Sequence, residues 1–411
     1  MRWIVLLSIA LFLRLGVTAV RGFDREPVKD EWSYKEIATN VAAGEGIRFD
    51  VTREVDRRPK TITLRSLRPP LYPLALGGVF AVTGPGPIPG RLLSVALGTL
   101  SVLCFFGWAR NVVGPRAAFF AALALAAWPA HLWSSGEMLT EPLFMALVCA
   151  AFWSLSARRI LPPGVLLGLA VLTRPSALLL LAPAGLLVLL TPAEGATRRR
   201  RLAWLAVTVL ALVAPWVIRN AVIHGRPLLT TNMGVTFLGG NSALALTADP
   251  PGRWHLPERV LDDDPPPMGY YGWPDLTERE NDRRFLALGV DWVRENPGEW
   301  TSLLLHKGAR FFDPDPRSVK ADRRLKAVAG WLSFGPLLLL AILGLPRVFS
   351  REMILPLGLI AVQLATALIF YGDARVRLPA VPGFLLLGAA GAGLLLRLRA
   401  IRGASGGPAS A

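Results

Sequence analysis

Cysteine and histidine are scarce, with two of the first and four of the second in 411 residues. Cys104 and Cys149 both lie inside apolar runs, so neither a disulfide framework nor a thiolate metal cluster is expected. His131, His224, His255 and His306 show no HExxH spacing and no close pair, which argues against a histidine-based zinc site. Acids are outnumbered too, 29 against 45 lysines and arginines, for a formal net charge of +16. A nucleic-acid binder could carry that excess. Here many of the cations flank apolar runs, and a membrane accounts for them without nucleic acid.

What the chain has in abundance is apolar sequence, 53% of its residues. It is gathered in long runs poor in charge, which excludes an ordinary soluble domain and predicts an all-α polytopic membrane protein. The runs predict about ten spans, at 3–20, 88–109, 115–131, 139–157, 160–174, 176–191, 202–222, 328–346, 353–371 and 378–397. The first is expected to be an uncleaved span, because Arg14 interrupts it and no small-x-small cleavage site precedes Arg21. The apolar stretch 70–83 is cut from the next span by Gly84-Pro85-Gly86-Pro87 and is expected to be re-entrant or interfacial.

Short loops set the expected orientation. One side holds Arg2, Arg110, Arg116, Arg158, Arg159, the run Arg198-Arg199-Arg200-Arg201, Arg347, Arg351, Arg397, Arg399 and Arg402, with Glu194 and Glu352 as its acids. The short loops of the other side hold Arg174, Arg375 and Arg377. The first side is therefore expected to be cytoplasmic, with both termini there, although the loop 21–69 on the opposite side has eleven lysines and arginines of its own. The expected organisation is a membrane region 1–222 that includes this first outer loop, an outer segment 223–327, C-terminal spans 328–400 and a disordered tail 401–411. Within the outer segment, Asp262-Asp263-Asp264 reads as an exposed loop. Thr277 and Glu280 form a capping-box pattern that opens a helix over 277–295, and a further helix is expected from Glu299 to Phe312.

Residues 29–44 draw most attention. Tyr34, Ile37, Ala38, Val41 and Ala42 recur at helical spacing, Gly44 is a candidate C-cap, and Asp30 and Glu31 stand at the start. Two readings fit these acids: helix-end acids favoured by the dipole, with Ser33 and Glu36 as a competing capping box, or a functional pair at the membrane surface. Asp24 and Glu26 lie nearby in a proline-linked loop. Glu137 and Glu141 stand at the outer end of another span, where Thr140 and Pro142 also suit an ordinary helix start. Arg68, Arg174, Arg219, Arg375 and Arg377 sit at outer ends of spans. Each alone reads as snorkelling, but together they are unusual for short outer loops and suit a lipid-linked phosphate. Lys307 reads as a solvated face. Tyr72, Trp133, Tyr270, Tyr271 and Trp273 fit an aromatic belt and sugar stacking equally.

These residues resemble the GT-C class of membrane glycosyltransferases, in the branch of the protein O-mannosyltransferases and the aminoarabinose transferases of lipid A. The matching pieces run in order: Asp30-Glu31 with Tyr34, Arg68-Pro69-Pro70-Leu71-Tyr72-Pro73, Thr140-Glu141-Pro142, Leu172-Thr173-Arg174-Pro175, Pro215-Trp216 with Arg219-Asn220, Asn232 with Gly240-Asn241, and Arg375-x-Arg377 before Pro379. The resemblance implies a polyprenyl-phosphate-sugar donor, a glycan, lipid or protein acceptor, and inverting transfer at the extracytoplasmic face of the cell membrane. It implies Asp30 as catalytic base with Glu31 beside it, and Glu141 where relatives often have Asp. Arg68, Arg174, Arg219, Arg375 and Arg377 are the implied phosphate contacts, and Tyr34, Tyr72, Glu137, Asn232 and Asn241 the implied substrate contacts. It leaves open a divalent cation held by Asp30 and Glu141. A transporter or lipid flippase would want ionisable groups near the midplane and paired repeats. A non-catalytic scaffold would need no convergence of acids and arginines.

Overall fold

A computed structural model describes residues 1–157, 161–261, 265–314 and 323–405. The expected acidic loop Asp262–Asp264, the loop cations Arg158 and Arg159, and residues 406–411 of the expected tail lie outside the described residues.

The chain opens with α1 (Arg2–Arg21) and the surface helix α2 (Asp30–Ala42). Lys29 turns the backbone at φ 53°, and Asp30 and Glu31 occupy the first turn of α2, where the helix dipole favours acids. Gly44, at φ 79°, closes the helix with its N–H on Val41 O, as its sequence position suggested. The alternative capping box does not form, because Ser33 Oγ donates to Asp30 O.

A hairpin follows, β1 (Phe49–Val55) and β2 (Arg58–Leu64), paired antiparallel with Val55 opposite Arg58. It is a small two-stranded addition to an otherwise helical fold, in a loop where only helix was expected. Asp56 and Arg57 both take positive φ, 52° and 61°, which matches the twist a two-residue turn needs. The hairpin packs Phe49, Val51, Ile62 and Leu64 against Ile37, Leu67 and Met268. Its turn lacks the Asn-Gly or Asp-Gly signal, and its outward positions are charged or threonine, so the alternation was masked.

Next come α3 (Leu71–Thr83), α4 (Pro87–Val113), α5 (Pro115–Ala126), α6 (Pro129–Ser135), α7 (Glu141–Ser156) and α8 (Leu161–Val171). A short 3-10 turn at Pro175–Leu180 leads into α9 (Leu181–Leu190), and then comes α10 (Gly195–His224). The outer segment holds α11 (Met233–Gly240), α12 (Ala243–Thr247), α13 (Pro257–Val260), α14 (Glu278–Glu295) and α15 (Pro297–Phe312). The capping box of Thr277 and Glu280 is formed at α14. The chain finishes with α16 (Arg323–Leu343), α17 (Ile354–Ile369), α18 (Ala374–Arg377) and α19 (Val381–Ser405).

Among the described residues, five helical stretches are long and apolar enough to cross a membrane: Arg2–Arg21, Pro87–Val113, Gly195–His224, Arg351–Ile369 and Ala374–Leu398. A sixth is added if α5 and α6 count as one span. The expected spans 139–157 and 176–191 are instead shorter apolar helices, 160–174 reduces to α8, and 328–346 falls on α16, apolar over Ala327–Leu343. The expected span 115–131 is bent by 58° between α5 and α6. The break frees carbonyls at the end of α5, and the buried Arg14 of α1 donates to Ala126 O. Arg14 also donates to His131 Nδ1 at 2.7 Å, and the other ring nitrogen of His131 meets Ser101 Oγ.

Helices α4 and α7 pack along their length, α16 packs on α19 and α8 on α10. The outer segment is sewn to the first loop by Glu278, which accepts from the backbone N–H of Arg65 and of Ser66 at 2.7 and 2.9 Å. These contacts bring the start of α2, residues 65–70, the start of α7, residues 172–174 and the start of α18 to one end of the bundle.

Candidate active site

Five side chains from five segments form one chain of ion pairs at that end. Arg68 Nη2 donates to Asp30 Oδ1 at 2.7 Å, and Arg375 Nη1 donates to Asp30 Oδ2 at 2.7 Å. Arg375 Nε also donates to Glu141 Oε1, an oxygen shared with Arg174 Nη2 at 3.1 Å. Ser33 Oγ accepts from Arg68 Nε.

Each group is placed by its element. Asp30 opens α2. Arg68 sits in the turn before α3, where the Leu71 N–H donates to Leu172 O and fixes the spacing to Arg174. Glu141 is the first residue of α7, with Pro142 behind it. Asp373 caps α18 by accepting from the Arg375 N–H at 2.8 Å, which aims the Arg375 side chain.

The electrostatics follow from burial and neighbours. Burial alone would raise the pKa of Asp30, but the guanidinium charges of Arg68 and Arg375 outweigh it and hold the carboxyl well below the usual carboxylate range. Burial would lower Arg68, and Asp30 more than compensates, so Arg68 stays charged. The Asp30 side chain is 33% exposed, whereas Glu141 is 0% exposed and its Oε2 has no hydrogen-bond partner. Two carboxylates face three guanidinium groups, so the ion-paired network carries one net positive charge.

Tyrosines frame these charges. Tyr34 packs edge-on against Tyr72, and Arg68 lies 5.0 Å over its ring. Tyr34, Tyr270, Tyr271 and Tyr371 all lie within electrostatic reach of Asp30, and burial raises the pKa of each hydroxyl. Tyr72 turns away to meet Ser94 Oγ at 3.2 Å.

Several implied site residues lie elsewhere. Glu31 faces the opposite side of α2. It is buried, accepts from the Met138 N–H at 3.0 Å and pairs with Arg25 and Arg91. Glu137 belongs to that second cluster through Arg21 and Arg25. Arg219 donates to Arg65 O, Ile47 O and Asn220 Oδ1 and ties the first loop to α10. Arg377 donates to Phe311 O and Asp313 O, with its guanidinium 3.8 Å over Phe334. Asn232 accepts from Thr230 Oγ1 at the start of α11. Asn241 is a buried hub that donates to Phe237 O and Ile369 O and accepts from Trp300 Nε1 and Lys307 Nζ.

Lys307 is therefore not a solvated residue. It is 0% exposed and also donates to Leu368 O. Arg91 was overlooked, though a charge inside an apolar run is itself a signal. Ser33 and Tyr371 carried no signal beyond nearness to Asp30 and Arg375. A cavity of about 320 Å³ beside Pro250, His306 and Phe312 lies behind α15 and includes none of the network residues.

Comparison with known proteins bears on the class of the chain. A family model described as dolichyl-phosphate-mannose-protein mannosyltransferase matches residues 67–218. The archaeal oligosaccharyltransferase AglB from Archaeoglobus fulgidus, solved with an inhibitory peptide and a dolichol-phosphate, has a similar fold with a TM-score of 0.55 at 14% identity. That match covers 99% of this chain and 52% of AglB. The same protein in complex with zinc and sulfate gives 0.53 at 14% identity, covering 98% of this chain and 50% of that one. ArnT from Cupriavidus metallidurans, bound to undecaprenyl phosphate, gives 0.45 at 19% identity, covering 95% and 77%. No curated protein matches by sequence. The chain spans about half the length of AglB. The fold is that of the GT-C class, and the resemblance to its membrane glycosyltransferases holds.

Proposed function

We propose that this protein transfers a sugar from a polyprenyl-phosphate carrier to an acceptor at the extracytoplasmic face of the membrane. One observation carries the reading. Acids and arginines scattered from residue 30 to residue 375 meet in a single ion-pair network with a net positive charge. A carrier phosphate supplies the missing negative charge, and the isoprenoid lies among the spans.

In this reading the phosphate competes with Asp30 for Arg68 and Arg375. Asp30 clamped between two guanidinium groups is a weak base, since general-base efficiency follows basicity. When the phosphate draws those arginines, the carboxylate is released and its basicity returns. An acceptor hydroxyl or amine then attacks the anomeric carbon while Asp30 takes its proton. The bond from that carbon to the phosphate oxygen breaks, and the electron pair leaves with the carrier phosphate, stabilised by the arginines. One displacement inverts the anomeric centre. Glu141 holds Arg375 and Arg174 for this task.

A divalent ion does not fit the residues present. Among the described residues no group of three histidine, cysteine or acidic side chains could hold one. Both candidate acids are already paired with two arginines each. No step of this mechanism passes through a metal.

Purified protein incubated with a panel of polyprenyl-phosphate sugars should consume one of them. Asp30→Asn should slow that consumption by roughly 10²–10⁴-fold while abundance in the membrane is unchanged. Normal turnover in that variant would refute Asp30 as the base.

A further inference from the structure

Arg375 touches both acids with different edges of one guanidinium. Its Nη1 holds Asp30 Oδ2 at 2.7 Å, and its Nε holds Glu141 Oε1. That is the place, between two carboxylates from α2 and α7, where a bridging cation would stand. From this we infer that Arg375 is the resident cation of the site, a fixed guanidinium in the position of a divalent ion, so that carrier phosphate is bound without metal. The inference rests on the proposed reading of the site and adds how its charge is supplied.

Three features of the chain carry it. First, ligand supply is short. Hard divalent ions take six or more oxygens, and the acids offered here are two, each with an oxygen already donated to. Second, the charge is already correct. The ion-paired groups sum to one positive charge, which a phosphodiester linkage neutralises, whereas a divalent ion would raise the site to three positive charges. Third, the backbone that carries the side chain is anchored. Asp373 caps α18 on the Arg375 N–H, and the segment before it is held by Arg310 Nε on Gly372 O and by the Gly372 N–H on Gly252 O. A guanidinium held this firmly is preorganised, as a metal would be, and needs no loading step.

Removing the side chain should leave the ion-paired groups electrically neutral, with Arg68 still on Asp30 and Arg174 still on Glu141. The test measures Mn²⁺ binding by electron paramagnetic resonance on the full-length protein in detergent, and undecaprenyl phosphate binding with EDTA or with Mn²⁺. The wild type should bind no Mn²⁺ at the site, and EDTA should leave its phosphate affinity unchanged. Arg375→Ala should weaken phosphate binding by roughly ten- to a hundredfold, still bind no Mn²⁺ because its acids remain two, and recover affinity with added guanidinium ion. Arg375→Lys keeps the charge and should retain part of the affinity without metal, which guards against misfolding of the alanine variant. A Mn²⁺ bound by the wild type and lost in Asp30→Asn would overturn the inference, as would phosphate binding that EDTA abolishes. Failure to bind undecaprenyl phosphate in either arm would instead remove the proposed carrier, and the Mn²⁺ signal of the wild type would still decide the role of Arg375.

Discussion

Asp30 and Glu31 are neighbours in sequence and strangers in space. A step of one residue along a helix turns the side chain by about 100°, so the pair cannot serve one site. Asp30 meets Arg68 and Arg375, while Glu31 meets Arg25, Arg91 and the Met138 backbone. The second set is a buried joint between α2 and the turn before α7. Glu31→Gln should lower thermal stability by roughly 1–3 kcal/mol through loss of buried charge-assisted bonds, with undecaprenyl phosphate affinity retained in the folded fraction. A fully stable Glu31→Gln protein that cannot turn over substrate would give Glu31 a chemical role instead. At this scale the sequence announced Asp30, Arg68, Glu141, Arg174 and Arg375 as charged groups at ends of apolar runs. It could not say which charged neighbours share a face, because that depends on side-chain direction. Arg219 and Arg377 carry the same signature and were assigned to backbone carbonyls by the fold alone.

Among the elements, α15 is expected as a helix but not in what it grips. It does not simply return the chain toward the bundle. Lys307 and Arg310, one turn apart, grip the backbone around 368–372 from behind, with Asn241 completing the joint. Burial lowers the pKa of Lys307 to about 7. The sign follows from proton counts. Between about pH 7 and the unfolded value of about 10.4 the native state binds fewer protons. This lysine's contribution to stability therefore rises as pH rises through that window, and its full cost is present below about pH 7. Melting the wild type and Lys307→Met from pH 6 to 10 should show a slope in the wild type that the variant lacks. Equal slopes would place the lysine's charge in solvent. Helix α15 itself was legible from Glu299 onward, but a cation in an amphipathic helix reads the same whether it faces water or a neighbouring carbonyl. The hairpin failed for a different reason: its charged outward positions hid a two-residue period.

At the scale of the molecule, span number and handedness in the membrane differ in how well sequence can give them. Mean apolarity identified every helical hydrophobic stretch, yet α7 and α9 are shorter than a bilayer core of about 30 Å requires. Burial against α4 and α10 explains how such helices remain in place. Orientation rests on the balance of lysine and arginine among loops. A cysteine placed at the exposed Lys60 of β2 should react with a membrane-impermeant maleimide added to intact cells. Protection from that reagent, with labelling after lysis, would invert the topology and move the ion-pair network to the cytoplasmic face.

The ion-pair network also imposes a timetable on synthesis. Arg375 follows Glu141 by more than two hundred residues, and a ribosome moving at about 5–20 residues per second needs some tens of seconds to cover that distance. During that interval Asp30 has Arg68 for company and Glu141 has Arg174, while the guanidinium that pairs with both acids is still to come. A chain that stops short of Arg375 therefore lacks the side chain that pairs with both Asp30 and Glu141.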